Sequence, residues 1–117
     1  ILNIMASSAN NNSVRINKSM VMKAAWETLR RHKAVSFSEA LRKAWHAYKL
    51  KAQMALGVVR FVFRKTNGEL RNAVGTLAKN LYQYEVKGTG HAAPACTIRY
   101  WDLEKNAFRS FCVDSLL

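Results

Sequence analysis

The chain has 117 residues, half of them hydrophobic and 22% charged, which excludes a disordered polymer and leaves room for one domain or a small barrel with a helical extension. Its 19 Lys and Arg against 7 acids give a formal charge of +12. Residues 1–57 hold ten cations and two acids, and residues 58–117 hold nine and five, so the excess is concentrated in the first half. Such a balance points to a polyanionic partner, and it argues against a chain built around paired catalytic carboxylates.

Residues 1–18 read as a disordered polar arm, because Asn and Ser dominate it and there is little to bury. The opening Ile1-Leu2-Asn3-Ile4 lacks a basic flank and a full apolar stretch, so it is not a signal peptide. Met5 reads as a native start, with the four residues before it as a remnant. Residues 19–57 form a two-helix basic extension. Ser19 is the expected cap of a helix running to about His32, with Met22, Ala25, Trp26 and Leu29 as its apolar stripe. Arg30, Arg31, His32 and Lys33 crowd its last turn, where cations complement the carbonyl end of the helix.

Ser36-Phe37-Ser38-Glu39 matches a capping box and predicts a second helix. Its apolar line is Phe37, Leu41, Trp45, Tyr48, Ala52 and Ala55 or Leu56, with Gly57 expected as a left-handed terminator. The other face presents Arg42, Lys43, His46, Lys49 and Lys51 with hardly an acid between them, so neighbouring cations repel. Trp45 and Tyr48 are read as core anchors, with base stacking as the alternative.

Residues 58–117 read as a small antiparallel β-barrel. Val58 to Lys65 is the clearest strand, and Asn67-Gly68 predicts a two-residue type I′ turn. That register pairs Phe61 with Val74 and opposes Arg64 to Arg71. Arg60, Arg64 and Arg71 then share one face with Val58, Val62 and Ala73. A three-residue loop with a Gly68 bulge would slip this register. Leu77 to Lys87 is ambiguous between a helical turn and a strand, and Gly88 to Ala95 reads as a loop.

Thr97 to Asp114 predicts a second hairpin around Glu104-Lys105-Asn106. Pairing Leu103 with Phe108 sets Tyr100 against Phe111, Ile98 against Val113 and Asp102 against Arg109, with Ile98, Tyr100, Phe111 and Val113 as barrel core. The other face carries Trp101, Leu103, Phe108 and Cys112 and would receive the helices. Cys112 then faces Arg99 and not Cys96, so two free thiols are expected, as in a reducing cytoplasm.

The run Tyr100-Trp101-Asp102-Leu103, followed by Phe108-Arg109-Ser110-Phe111 and Val113-Asp114-Ser115-Leu116, resembles the end of WYL-type domains. In that family an aromatic strand is followed by an Arg-x-Phe strand ending in an apolar residue and Asp. The first hairpin, ending Val74-Gly75-Thr76-Leu77, fits the same pattern. The likeness covers 58–117 and is greatest to short WYL-like proteins of gut Bacteroidetes, their phages and mobile elements. It implies an Sm-like barrel of the SH3 type. The triplet that names the family is absent, with Tyr100-Trp101-Asp102-Leu103 near its place.

No nucleophile–base–acid set can be assembled, since the seven acids are scattered and His91 has nothing beside it to orient it. No cysteine–histidine spacing suits a metal, and no apolar run approaches the ~18 residues of a membrane span. The expectation is an α+β fold, two N-terminal helices on a small antiparallel SH3/Sm-like barrel. It is expected to be non-catalytic, without cofactor, cytoplasmic and without a membrane partner. Nucleic acid, RNA or DNA, is its expected partner, through Arg30, Arg31, Lys33, Arg42, Lys43, His46, Lys49, Lys51, Arg60, Arg64 and Arg71. The alternatives are a phage- or mobile-element-encoded inhibitor that docks on an acidic or nucleic-acid-binding host protein, and a ligand-sensing barrel.

Overall fold

Each of the two helices starts at a side-chain cap. In the computed structural model, which describes residues 15–81 and 94–117, helix α1 spans Lys18–Arg30. Asn17, not Ser19, is its cap: the Asn17 side chain accepts the Met20 N–H at 3.2 Å. The helix stops short of His32, which adopts φ 59°. His32 N–H then reaches the Leu29 carbonyl and Lys33 N–H the Thr28 carbonyl, both at 3.0 Å, closing a Schellman turn.

Helix α2 spans Phe37–Leu56. Its capping box forms as expected, with Ser36 Oγ accepting the Glu39 N–H at 3.1 Å and Glu39 Oε1 accepting the Val35 N–H at 2.7 Å. Gly57 is not the left-handed terminator expected of it, because its φ of 172° is ordinary extended backbone. The helix end is satisfied from the sheet instead. Leu77 N–H reaches the Met54 carbonyl at 2.8 Å, and Thr76 Oγ1 lies 2.8 Å from the Gly57 carbonyl.

The buried helix faces are rotated from the expected stripes. Val21, Ala24, Ala25 and Thr28 of α1 are buried, as are Ala40, Ala44 and Ala47 of α2. Small side chains let two helices approach closely, so the alanine faces take the centre and the bulky residues move to the flank. Met22 and Trp26 are left 43% and 46% exposed, with Trp26 lying on Phe37 at 4.3 Å between ring centroids. Leu41 and Trp45 pack at the edge of the core, and Tyr48 is fully inside it.

The strands β1 (Val58–Arg64), β2 (Leu70–Thr76), β3 (Thr97–Asp102) and β4 (Ala107–Cys112) form one antiparallel sheet in chain order. A 3₁₀ turn at Val113–Ser115 carries the chain back to β1, where Phe63 bridges to Leu116 and Leu117 N–H reaches the Val62 carbonyl at 3.0 Å. The sheet thereby curls into a barrel that is joined only briefly at its seam. Within the expected Leu77–Lys87 element a 3₁₀ turn spans Lys79–Leu81, and residues 82–87 lie outside the described residues, as does His91.

Both hairpin registers differ from expectation. The β1–β2 loop is the three-residue form: Lys65 N–H reaches the Glu69 carbonyl at 2.7 Å, and Gly68 sits at φ 93° as the bulge. Phe61 therefore pairs with Ala73, and Arg64 with Leu70. A slip of one residue moves every side chain to the opposite face. Arg71 and Ala73 turn to the inner side with Phe61 and Phe63, and the opposed Arg64–Arg71 pair does not exist.

In the second hairpin Ile98 pairs with Phe111, Tyr100 with Arg109, Trp101 with Phe108 and Asp102 with Ala107. This shift is by two residues, so the faces survive: Ile98, Tyr100, Phe111 and Val113 are all buried in the core. Cys112 lies opposite Thr97 and not Arg99, and both cysteines are free. The helices do not lie on the hairpin's outer face. Ala40, Tyr48 and Met54 share one continuous core with Phe61, Phe63, Tyr100 and Phe111.

Candidate nucleic-acid interface

Where β1 and β4 fail to pair, the barrel leaves a groove of about 780 Å³. Its floor is aromatic, formed by Phe63, Tyr100 and Phe111, whose rings stack or tilt against one another at 5.5–6.0 Å. These rings are 7%, 0% and 4% exposed, so they shape the floor without offering a free stacking surface. The walls carry six cations: Arg31 and Lys33 from the α1–α2 corner, Arg64 and Lys65 from the first hairpin, Arg71 from β2 and Arg109 from β4. Asp114 is the one acid among the described lining residues.

Among the described residues, most of these cations meet no acid. Arg64 donates to the Gly68 carbonyl at 2.9 Å, Arg109 to the Phe108 carbonyl at 3.2 Å, and Arg31 to Cys96 Sγ at 2.9 Å. Neutral acceptors orient a guanidinium without cancelling its field. Lys65 meets Glu69 at 3.7 Å, but both are exposed, and such pairs are weak. Arg71 alone is held by a buried charge, the Asp102 carboxylate, and this corrects the expected Asp102–Arg109 pair.

Asp102 explains why Arg71 points where it does. Its Oδ1 accepts the Glu104 and Lys105 N–H groups at 2.9 and 3.0 Å, so it builds the β3–β4 turn, while Oδ2 receives Arg71. The Tyr100 hydroxyl stands 3.4 Å from the same Oδ2. Burial, reinforced by the negative Asp102, pushes the Tyr100 phenol up to about 12. Behind Arg31, whose guanidinium it contacts, the Cys96 thiol is raised by burial, with the Glu27 carboxylate adding to the effect.

Of the residues expected to bind, Arg31, Lys33, Arg64 and Arg71 come together in the groove, and Lys65 and Arg109 join them. Arg109 was expected to face Asp102, and the two-residue shift of the second hairpin sets it opposite Tyr100 instead. Lys65 lies at the start of the Thr66-Asn67-Gly68 loop, whose three-residue form was the signal for the first hairpin's register. Arg30, Arg42, Lys49, Lys51 and Arg60 are exposed and His46 also, but none of them lines the groove. Arg42, His46 and Lys49 share one face of α2, which touches the groove's rim where His46 Nε2 lies 3.3 Å from the Leu117 carbonyl. Lys43 is half-buried. Lys51 follows Arg42 by about two and a half helical turns and so faces the other way, its Nζ 5.5 Å from the Tyr48 ring. Tyr48 gives its hydroxyl to the Ala95 carbonyl at 2.6 Å, which makes it a core anchor.

Among the described residues no group of three or more His, Cys, Asp or Glu is placed to hold a metal ion, and no helix is long and apolar enough to cross a membrane. No curated protein and no solved structure matches the chain. A family model does match, over residues 47–117, from the middle of α2 through the whole barrel. The chain with its bent four-stranded sheet, closed through a 3₁₀ turn, belongs to the WYL_2 family of Sm-like SH3 β-barrel fold.

Proposed function

We propose that this protein is a non-catalytic module that binds nucleic acid in the groove between β1 and β4. The observation that carries the reading is the convergence of six cations from four separate parts of the chain on one open seam, with a single acid among the described lining residues. Nothing in the packing of the barrel requires Arg31, Lys33, Arg64 and Arg109 to gather there. Three of the six are arginines with neutral partners, and the guanidinium fork suits phosphate oxygens. The basic face of α2, meeting the rim at His46, extends the field along which a polyanion would lie.

The test is a titration with labelled single-stranded RNA, single-stranded DNA and duplex DNA at several salt concentrations. Log K is expected to fall linearly with log salt, by about 0.7 per phosphate contact for single strands and about 0.9 for duplex DNA. Changing Arg64, Lys65 and Arg109 together to Gln should lower that slope by roughly two to three units. Absence of binding at low salt would overturn the proposal.

A second reading has its own observation. The groove runs along β4, which among the described strands is paired on one side only, with β3, and such edges accept extended segments of other proteins. An acidic host protein captured there, by an inhibitor of phage or mobile-element origin acting in the cytoplasm, would survive nuclease treatment of the lysate. Capture through nucleic acid would not.

A further inference from the structure

Arg31 is the groove cation with the least ordinary partner, since its Nη1 donates to the sulfur of Cys96 at 2.9 Å. Cys112 lines the same groove as Arg31. The two cysteines are near neighbours on the sheet: Cys112 pairs with Thr97, and Val113 N–H reaches the Cys96 carbonyl at 2.8 Å. Adjacent strands with an offset of one residue put their Cα atoms about 6 Å apart, inside the range a disulfide spans. Cys96 precedes β3 and is not bound to the strict alternation of a strand. Both thiols are free.

We infer that Cys96 and Cys112 form a peroxide-sensitive thiol pair whose closure to a disulfide releases Arg31 into the groove. The inference names a control of the site proposed above and rests on that reading for its consequence. Cys112, the half-exposed partner on the groove wall, meets the oxidant first. Its sulfur attacks hydrogen peroxide, the O–O bond breaks, and water leaves with a sulfenic acid on Cys112. The Cys96 sulfur then displaces the hydroxyl, which departs with the Cys96 proton as a second water. Two thiols and one peroxide thus give one disulfide and two waters. Cys96 is 2% exposed, which fits the resolving role, because it is sheltered from direct attack. Closing the bond draws the Cys96 sulfur toward Cys112 and away from the Arg31 guanidinium, which then loses its anchor and gains the freedom to meet an anion.

The experiment treats the full chain with hydrogen peroxide and follows three signals. Mass analysis is expected to find a loss of two hydrogens and a peptide linking Cys96 to Cys112, absent in Cys112→Ser. Phenylglyoxal, an arginine reagent, is expected to label Arg31 several-fold faster after oxidation. The salt slope for a labelled single-stranded DNA is expected to steepen by about 0.7, the increment of one added phosphate, and not to do so in Arg31→Gln. Free thiols after treatment, oxygen adducts without the link, cross-linked dimers, or a link with unchanged Arg31 labelling would each overturn the inference. If the link forms and Arg31 labelling rises while neither state binds any oligonucleotide, the nucleic-acid reading fails and the thiol pair stands.

Discussion

Asp102 shows how one buried carboxylate can serve a turn and a groove wall at once. Its two oxygens receive the Glu104 and Lys105 N–H groups, the Arg71 guanidinium and the Tyr100 hydroxyl, and the residue is 0% exposed. Removing one partner of a buried pair leaves the other charge stranded, so Asp102→Ala should cost about 3–5 kcal/mol in chemical denaturation. Asp102→Asn should cost less, because its amide oxygen can still accept at the turn. Tyr100 supplies a pH signature. Its folded-state phenol ionises near 12 against 10.0 for the free group. The unfolded chain therefore releases the proton first. Stability from this residue is whole below pH 10 and is lost as pH rises through 12. Alkaline unfolding of Tyr100→Phe should lack most of that loss. Arg71 teaches the same lesson about reading a sequence: its charge was visible, but its partner lies on another strand, and only the register brings the two together.

At the scale of the element, turn chemistry decided what could be foreseen. The capping box of α2 was visible because its residues are neighbours in the chain and satisfy each other locally. Asn67-Gly68 suits a two-residue and a three-residue loop about equally, and the choice between them turns Arg71 from the outer face to the inner. The second hairpin forgave its error, since a shift of two residues keeps Tyr100 and Phe111 on the core side. The helices misled through bulk: Trp26 and Met22 drew the stripe, whereas alanines made the close contact. Gly75 was not singled out, yet an added Cβ there would stand 2.5 Å from Tyr100 Cδ2. The ring fills the space that a side chain would need. Gly75→Ala should destabilise by about 1–3 kcal/mol through overpacking, measured as a shift in denaturation midpoint at constant slope.

For the whole molecule, the shared core makes the helices part of the barrel. Phe111 touches Phe61 and Phe63 at centroid distances of 5.3 and 5.5 Å, and Phe111→Ala should cost about 3–5 kcal/mol. Far-UV circular dichroism and tryptophan fluorescence should report one coincident unfolding transition, because α2 contributes Tyr48 and Met54 to the same cluster. Two transitions would show that the helices form a separable unit. Charge was readable from composition, and the α+β class from the helix-start signals and the two hairpin patterns. The location of the basic groove was not, since its six cations are gathered by a seam that no local pattern encodes. Converting Arg42, Lys43 and Lys49 to Ser tests the weight of the helical face against the groove. The slope of log K against log salt should fall less than in the groove triple, with thermal stability little changed.

The seam has a kinetic side. Phe63 and Leu116 lie far apart in the chain, whereas each hairpin and the helix pair join near neighbours. Distant contacts carry the largest loop-closure entropy, so the seam is expected to be the last part of the barrel to form. What closes last with few bonds also opens first, and here the Leu117 N–H to Val62 carbonyl bond is the one to watch. Hydrogen exchange should free the Leu117 amide well before those in the middle of β3. A ligand lying across β1 and β4 would slow that exchange, tying the breathing of the barrel to the occupancy of its groove.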